Sequence, residues 1–313
     1  MKMKKYLKLI GNVITAIAIL FVIKKLFQTD IDYSLLLKKG NILPIVIAII
    51  IITSIVILNC LPWRKLVYIL SSVSIPFKEA VSVYTKSNIL KYLPGNVFQY
   101  VGRNDLANRM GIRHTDVAFA TALEIIMMVF SALLLSVVFL QGAVMEIFIT
   151  YRDTFIMLVM IAFAVIILGT IVVILRFKDK FRAFLTRFFN IFKKKNILSL
   201  IGCVLYYVIS TFILSLSYMI VLVFILKQDI STDIFVYICG AYILSWLIGF
   251  ITPGAPAGIG IKEAVMMAIT GEVLNQEAIV LSLVVLRVLT IFGDVMGFVI
   301  VQLVIKFVER KTI

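Results

Sequence analysis

The sequence predicts an all-α protein, a polytopic transmembrane helix bundle of about eight passes with Pro/Gly-broken or re-entrant segments. Three observations lead there. About 62% of the 313 residues are apolar and only 15% are charged, against roughly 45–50% and 25% in soluble domains. Spans 42–61, 154–175 and 197–226 carry no charged residue at all, and about 20 such residues suffice to cross a hydrocarbon core about 30 Å thick. Proline and glycine interrupt the apolar pattern at two places, at Pro94-Gly95 and from Pro253 to Gly260. The many Ile and Val residues would suit buried strands in water. In lipid an open sheet leaves its edge groups unsatisfied, so helix is the expectation. The alternation in pieces of about ten residues that marks a membrane barrel is absent.

The elements follow in order. Lys2, Lys4, Lys5 and Lys8 precede the apolar run 9–23, which leads into Lys24 and Lys25 with no small-residue cleavage site. It reads as a retained first helix, 9–27, and not as a cleaved signal. The second helix is 42–61. A basic, partly apolar stretch, 62–116, follows without a long uncharged run. The third helix is 117–140, interrupted only by Glu124, and the fourth is 154–175. A very basic linker, 176–196, leads to a fifth helix within 197–226, long enough to tilt or protrude. The sixth starts near Ile234 and runs into Thr252-Pro253-Gly254. Apolar character continues through the break to Gly271, and the last long segment is 278–308. No linker is long or polar enough to divide the chain, so 1–313 reads as a single membrane-embedded domain.

Orientation follows from the placement of Lys and Arg. With the N-terminus cytoplasmic, segments 1–8, 62–116 and 176–196 hold 20 basic residues, and the opposite segments 24–41, 141–153 and 227–234 hold 6. Lys306, Arg310 and Lys311 place the C-terminus on the cytoplasmic side too, which demands an even number of crossings. The net charge of +15 is then mainly a cytoplasmic-face charge attracted to anionic headgroups. Its carriers flank membrane helices, so a nucleic-acid partner is not expected.

Cys60, Cys203 and Cys239 are far apart and lie in or near apolar runs, which suits small buried hydrophobes and no disulfide framework. His114 is the only histidine and has no second ligand near it, so no metal is expected. No phosphate loop, nucleophile elbow or soluble domain is present, so no catalytic residue and no cofactor is assigned.

Chemistry concentrates at the two breaks and at charges inside apolar helices. Proline removes a backbone donor and glycine permits close approach, so each break opens a helix. Backbone groups freed at membrane depth must be buried in protein or line a wet cavity. The resulting helix N-termini suit anions such as phosphate, and paired Gly/Pro breaks point to a transporter's binding site. Each break follows a pair of long helices, which hints at an ancient duplication, although residue identity between the halves is slight. The candidates for substrate binding at the breaks are Pro94, Gly95, Asn96, Gln99, Arg103, Pro253, Gly254, Gly258 and Gly260. Glu124, Glu263, Arg287 and Asp294 sit in otherwise apolar surroundings, at a cost of at least about 2.5–3.5 kcal/mol each at mid-bilayer. They are expected to face one another or water. Arg287 is the expected counter-ion of Glu124 or Glu263, and its fork can hold a lipid phosphate. Arg103, one residue past Gly102, suits capture of an anionic headgroup. A structural ion pair is the competing reading for each, and it is favoured for Asp294.

The stretch from Lys91 to Arg103, continuing through Gly111-Ile112 to Glu124, resembles the early motif of the lysylphosphatidylglycerol synthase transmembrane (flippase-like) family. The stretch from Pro253 to Ala264 resembles that family's later Pro-Gly-Gly-x-Gly-x-x-Glu motif, and Arg287 matches an arginine of its last helix. Ala255-Pro256-Ala257 depart from the more compact glycine-rich pattern. The resemblance implies lipid translocation in the plasma membrane, as in the flippase half of multiple peptide resistance factors. It implies membrane lipids as partners, anionic or aminoacylated phospholipids above all, and a separate synthase or glycosyltransferase. The aminoacyl-transfer domain of those factors has no counterpart in these residues. The alternatives are a phosphatidylglycerol lysyltransferase-type or glycosyl-type lipid-modifying enzyme, or a non-transporting membrane subunit of one.

Overall fold

The computed structural model describes residues 38–93, 97–142, 189, 191–252, 258 and 260–311. The predicted first and fourth helices, and Pro94, Gly95, Asn96, Pro253 and Gly254, lie outside the described residues. Among the described residues every regular element is a helix. They are α1 (Ile42–Leu58), α2 (Cys60–Ser71), α3 (Phe77–Ile89), α4 (Phe98–Asn108), α5 (His114–Phe139), α6 (Lys194–Met219), α7 (Thr232–Ile251), α8 (Ile261–Thr270) and α9 (Gln276–Lys311).

Among the described residues, five stretches are long and apolar enough to cross a membrane: Lys39–Ser71, His114–Phe139, Lys194–Ile225, Thr232–Ile251 and Gln276–Arg310. The outer surface is the apolar one. Leu198 is 81% exposed and Leu43 69%, whereas Arg103, Glu124 and Asp294 are sealed inside. Exposed leucine over buried charge inverts the soluble pattern and fits a bundle solvated by lipid tails. α1 and α2 run almost continuously, because the backbone N–H of Asn59 still bonds Ile55 O at 2.9 Å. Pro62 falls in the first turn of α2, where no intrahelical donor is lost. α6 ends in a wider π-helical run, Ile220–Ile225.

Side-chain register fixes the direction of each helix. A Cβ on Gly293 would strike Ile52 and one on Gly297 would meet Val56, so α1 and α9 pack closely and run parallel. Tyr206 donates to Asn59 at 3.0 Å and Asn41 to Ile225 O at 3.3 Å, so α1 and α6 are antiparallel. Ser131 donates to Val204 O at 3.5 Å and the Phe139 and Phe212 rings meet at 5.8 Å, so α5 and α6 are parallel. It follows that α5 runs opposite to α9. Lys78 pairs with Glu309, Gln302 donates to Ser82, and Asn88 donates to Asp294, so α3 descends antiparallel to α9. These registers bring Arg64, Lys78, Lys194, Lys195, Lys306 and Arg310 to one end of the bundle.

The stretch 62–116, basic and without a long uncharged run, folds into α2, α3 and α4. All three pack against the long helices. α8 has ten residues, about 15 Å of helix and half a hydrocarbon core.

Candidate functional site

Both breaks lie beside a charged residue on the short helix that follows, and each such residue pairs with the next long helix. At the first break, Arg103 of α4 meets Glu124 of α5 at 2.5 Å. Tyr84 of α3 donates to the other Glu124 oxygen at 2.5 Å, and Arg103 Nε donates to Ser87 Oγ at 3.3 Å. The guanidinium also lies over the Tyr84 ring, 3.8 Å from its centroid. Burial, the largest influence, would pull the Arg103 pKa down, but the Glu124 carboxylate together with the oxygens of Tyr84, Tyr207 and Tyr100 outweighs it and the guanidinium stays charged. Burial and then Glu124 push the Tyr84 phenol above its ordinary range, so it keeps its proton and donates. Gly102 lets α4 pack closely on Leu90, since a Cβ would collide with that side chain.

At the second break, Glu263 of α8 meets Arg287 of α9 at 2.7 Å. The other Glu263 oxygen accepts the backbone N–H of Gly260 at 2.9 Å, satisfying one of the orphan donors of α8. Gly258 and Gly260 hold φ values of +71° and +82°, a region where a side chain is strained. The approach to α7 is also tight. A Cβ on Gly258 would stand 2.9 Å from the Gly249 Cα, and one on Gly249 would stand 2.8 Å from Lys262 Cγ. The end of α7 and the end of the break are therefore in backbone contact.

Asp294 ties the two regions together. It accepts from Asn88 at 2.8 Å and from the Tyr92 hydroxyl, and it pairs with Lys91 at 2.6 Å. All three partners lie at the end of α3 or in the turn that leads to the first break. Burial and then Asp294 raise the Tyr92 phenol above its ordinary range, so it too donates.

The sequence candidates therefore separate. Arg287 has Glu263 as its partner, while Glu124 takes Arg103 instead. Arg103, expected beside an opening for headgroup capture, is engaged by Glu124 and closed over by aromatic rings. Gln99 sits half-buried on α4, one turn before Arg103. Arg109 and Arg113 form local pairs with Asp105 and Asp116. Sequence reasoning left out Tyr84, Ser87, Asn88 and Tyr92. Their signal was the spacing of Tyr84, Ser87, Asn88 and Lys91, which marks one face of a helix.

No family model, curated protein or solved structure matches the chain.

Proposed function

We propose that this chain translocates a lipid with a phosphate-containing headgroup between leaflets, as the resemblance to the flippase-like family implies. The observation that carries the reading is the Glu263–Arg287 pair. It stands beside a broken helix inside an apolar bundle, yet keeps 14% and 17% of its side-chain surfaces accessible. The Arg103–Glu124 pair is closed, with 3% and 2% of its side-chain surfaces accessible, so in this conformation the second pair is the one a headgroup can reach. A partly open arginine fork can exchange its carboxylate for a phosphate, and Glu263 would then take the amine of a zwitterionic or aminoacylated headgroup.

The chain sits in the plasma membrane with both ends cytoplasmic. The gathering of basic residues from 62–116, from the start of α6 and from the end of α9 at one end of the bundle supports this. α7 and α8 lead away from and back to the side on which α9 starts, which keeps both chain ends on one side.

The test is reconstitution into vesicles carrying fluorescent phospholipids, with quencher outside. Quenching beyond the outer-leaflet fraction for at least one headgroup in a broad panel supports the proposal. Protection of the inner leaflet for every headgroup contradicts it.

A further inference from the structure

The two broken helices occupy equivalent places in two chain segments that repeat the same order of elements. In each, a long helix, a pair of helices that flank a Pro/Gly stretch of the sequence and a second long helix follow one another. The first long helices are Lys39–Ser71, with 33 residues, and Lys194–Ile225, with 32. The short helices after the breaks, α4 and α8, have 11 and 10 residues. Packing repeats as well. α1 pairs with α9 as α6 pairs with α5, and α3 packs on α9 as α7 packs on α5. The direction is reversed throughout. α1 opposes α6 and α5 opposes α9, as the register contacts require. α7 follows α6 after a connector of only residues 226–231 and returns antiparallel to it, so α3 and α7 enter from opposite ends. The ion pairs repeat with their charges exchanged. In the first segment the short helix carries Arg103 and the long helix Glu124, 21 residues on. In the second the short helix carries Glu263 and the long helix Arg287, 24 residues on.

We propose that residues 39–139 and 194–311 form an inverted-topology repeat whose two hairpins act as alternating gates, each latched by its own ion pair. Inverted repeats place a substrate site at their interface near the bilayer midplane and exchange conformations to expose it to either side. The present conformation is asymmetric in the way such exchange requires. The first latch is closed, with 3% and 2% of its side-chain surfaces accessible, and the second is partly open. In the exchanged state Arg103–Glu124 loosens and Glu263–Arg287 seals. Asp294, bound to the end of α3 from the opposite repeat, couples the two movements. The nature of the cargo rests on the lipid reading above; the exchange itself does not.

The test uses a chain with Cys60, Cys203 and Cys239 replaced by alanine, reconstituted with a membrane-impermeant maleimide on both faces. One reporter cysteine is placed per hairpin, as Gln99→Cys or Ala264→Cys. Glu124→Gln is expected to raise labelling at 99 and lower it at 264, each at least threefold. Glu263→Gln is expected to do the reverse. If Glu124→Gln does not fold, Tyr84→Phe loosens the same latch by one hydrogen bond, and the same directions are expected. Labelling that moves at both reporters in one direction, or at neither, overturns the proposal. Lipid movement in the same vesicles separates the two readings. Reciprocal labelling without lipid movement keeps the repeat and removes the lipid. Lipid movement without reciprocal labelling does the opposite.

Discussion

Asp294 and Lys91 join the last helix to the approach to the first break at 2.6 Å. The carboxylate is fully enclosed, while the lysine keeps 28% of its side-chain surface accessible. Removing the base therefore leaves an enclosed carboxylate without its counter-charge, whereas removing the acid leaves a lysine that can still reach solvent. Lys91→Met leaves the Asp294 carboxylate with only its two neutral donors and is expected to cost about 3–5 kcal/mol. Asp294→Ala leaves Asn88 and Tyr92 without their acceptor and is expected to cost about 1–3 kcal/mol. Thermal unfolding in detergent, followed by intrinsic fluorescence, ranks the two; equal midpoints would contradict the arrangement.

The Arg103–Glu124 pair has the same logic in a closed setting. Glu124→Ala leaves a guanidinium buried under Tyr84 and Trp63, an expected loss of about 3–5 kcal/mol. Joint replacement by Arg103→Met and Glu124→Leu is expected to recover most of it. Tyr84→Phe is expected to cost about 1–3 kcal/mol. A double-mutant cycle on the detergent-solubilised protein reads the coupling directly, and a coupling near zero would remove the pair from the account.

At the second break the constraint is steric. Gly258→Ala meets both a φ of +71° and the Gly249 Cα at 2.9 Å, and Gly249→Ala meets Lys262 and the Gly258 backbone. Overpacking of this kind costs about 1–3 kcal/mol. Gly260 has open space around it, so Gly260→Ala carries only the backbone strain. The expected order of melting temperatures is Gly260→Ala above Gly258→Ala, and the reverse order would show that contact with α7 is not what the glycine protects.

The helical, membrane-embedded character was legible in composition and run length, because only helices and closed barrels satisfy a backbone in lipid and the barrel's alternation is absent. Glu263 and Arg287 stood out for the same reason: charges are rare in apolar helices, and two on adjacent elements invite pairing. The partner of Glu124 was not legible. Arg103 lies in a stretch whose charges look like ordinary solvated ones, and no periodicity says that α4 folds back against α5. Tyr84, Ser87 and Asn88 share one face of α3, but α3 has too many polar residues to read at once as a bundle helix, and Tyr92 lies in the turn beyond it. The antiparallel relation of the two halves depends on contacts such as Ser131 to Val204 O, between residues 73 apart, which pattern alone cannot reach.

The most direct test of lipid translocation is transport by Glu263 and Arg287 variants in vesicles, with thermal stability measured on the same preparations. Glu263→Gln and Arg287→Gln are expected to insert and fold, to melt within a few degrees of the parent, and to lose at least tenfold in the rate of labelled-lipid movement. The apolar double variant Glu263→Leu with Arg287→Met is expected to be stable and equally inactive, because no group remains to hold the headgroup. Transport at the parent rate in that double variant would contradict the account, leaving the pair a structural clasp and the site elsewhere.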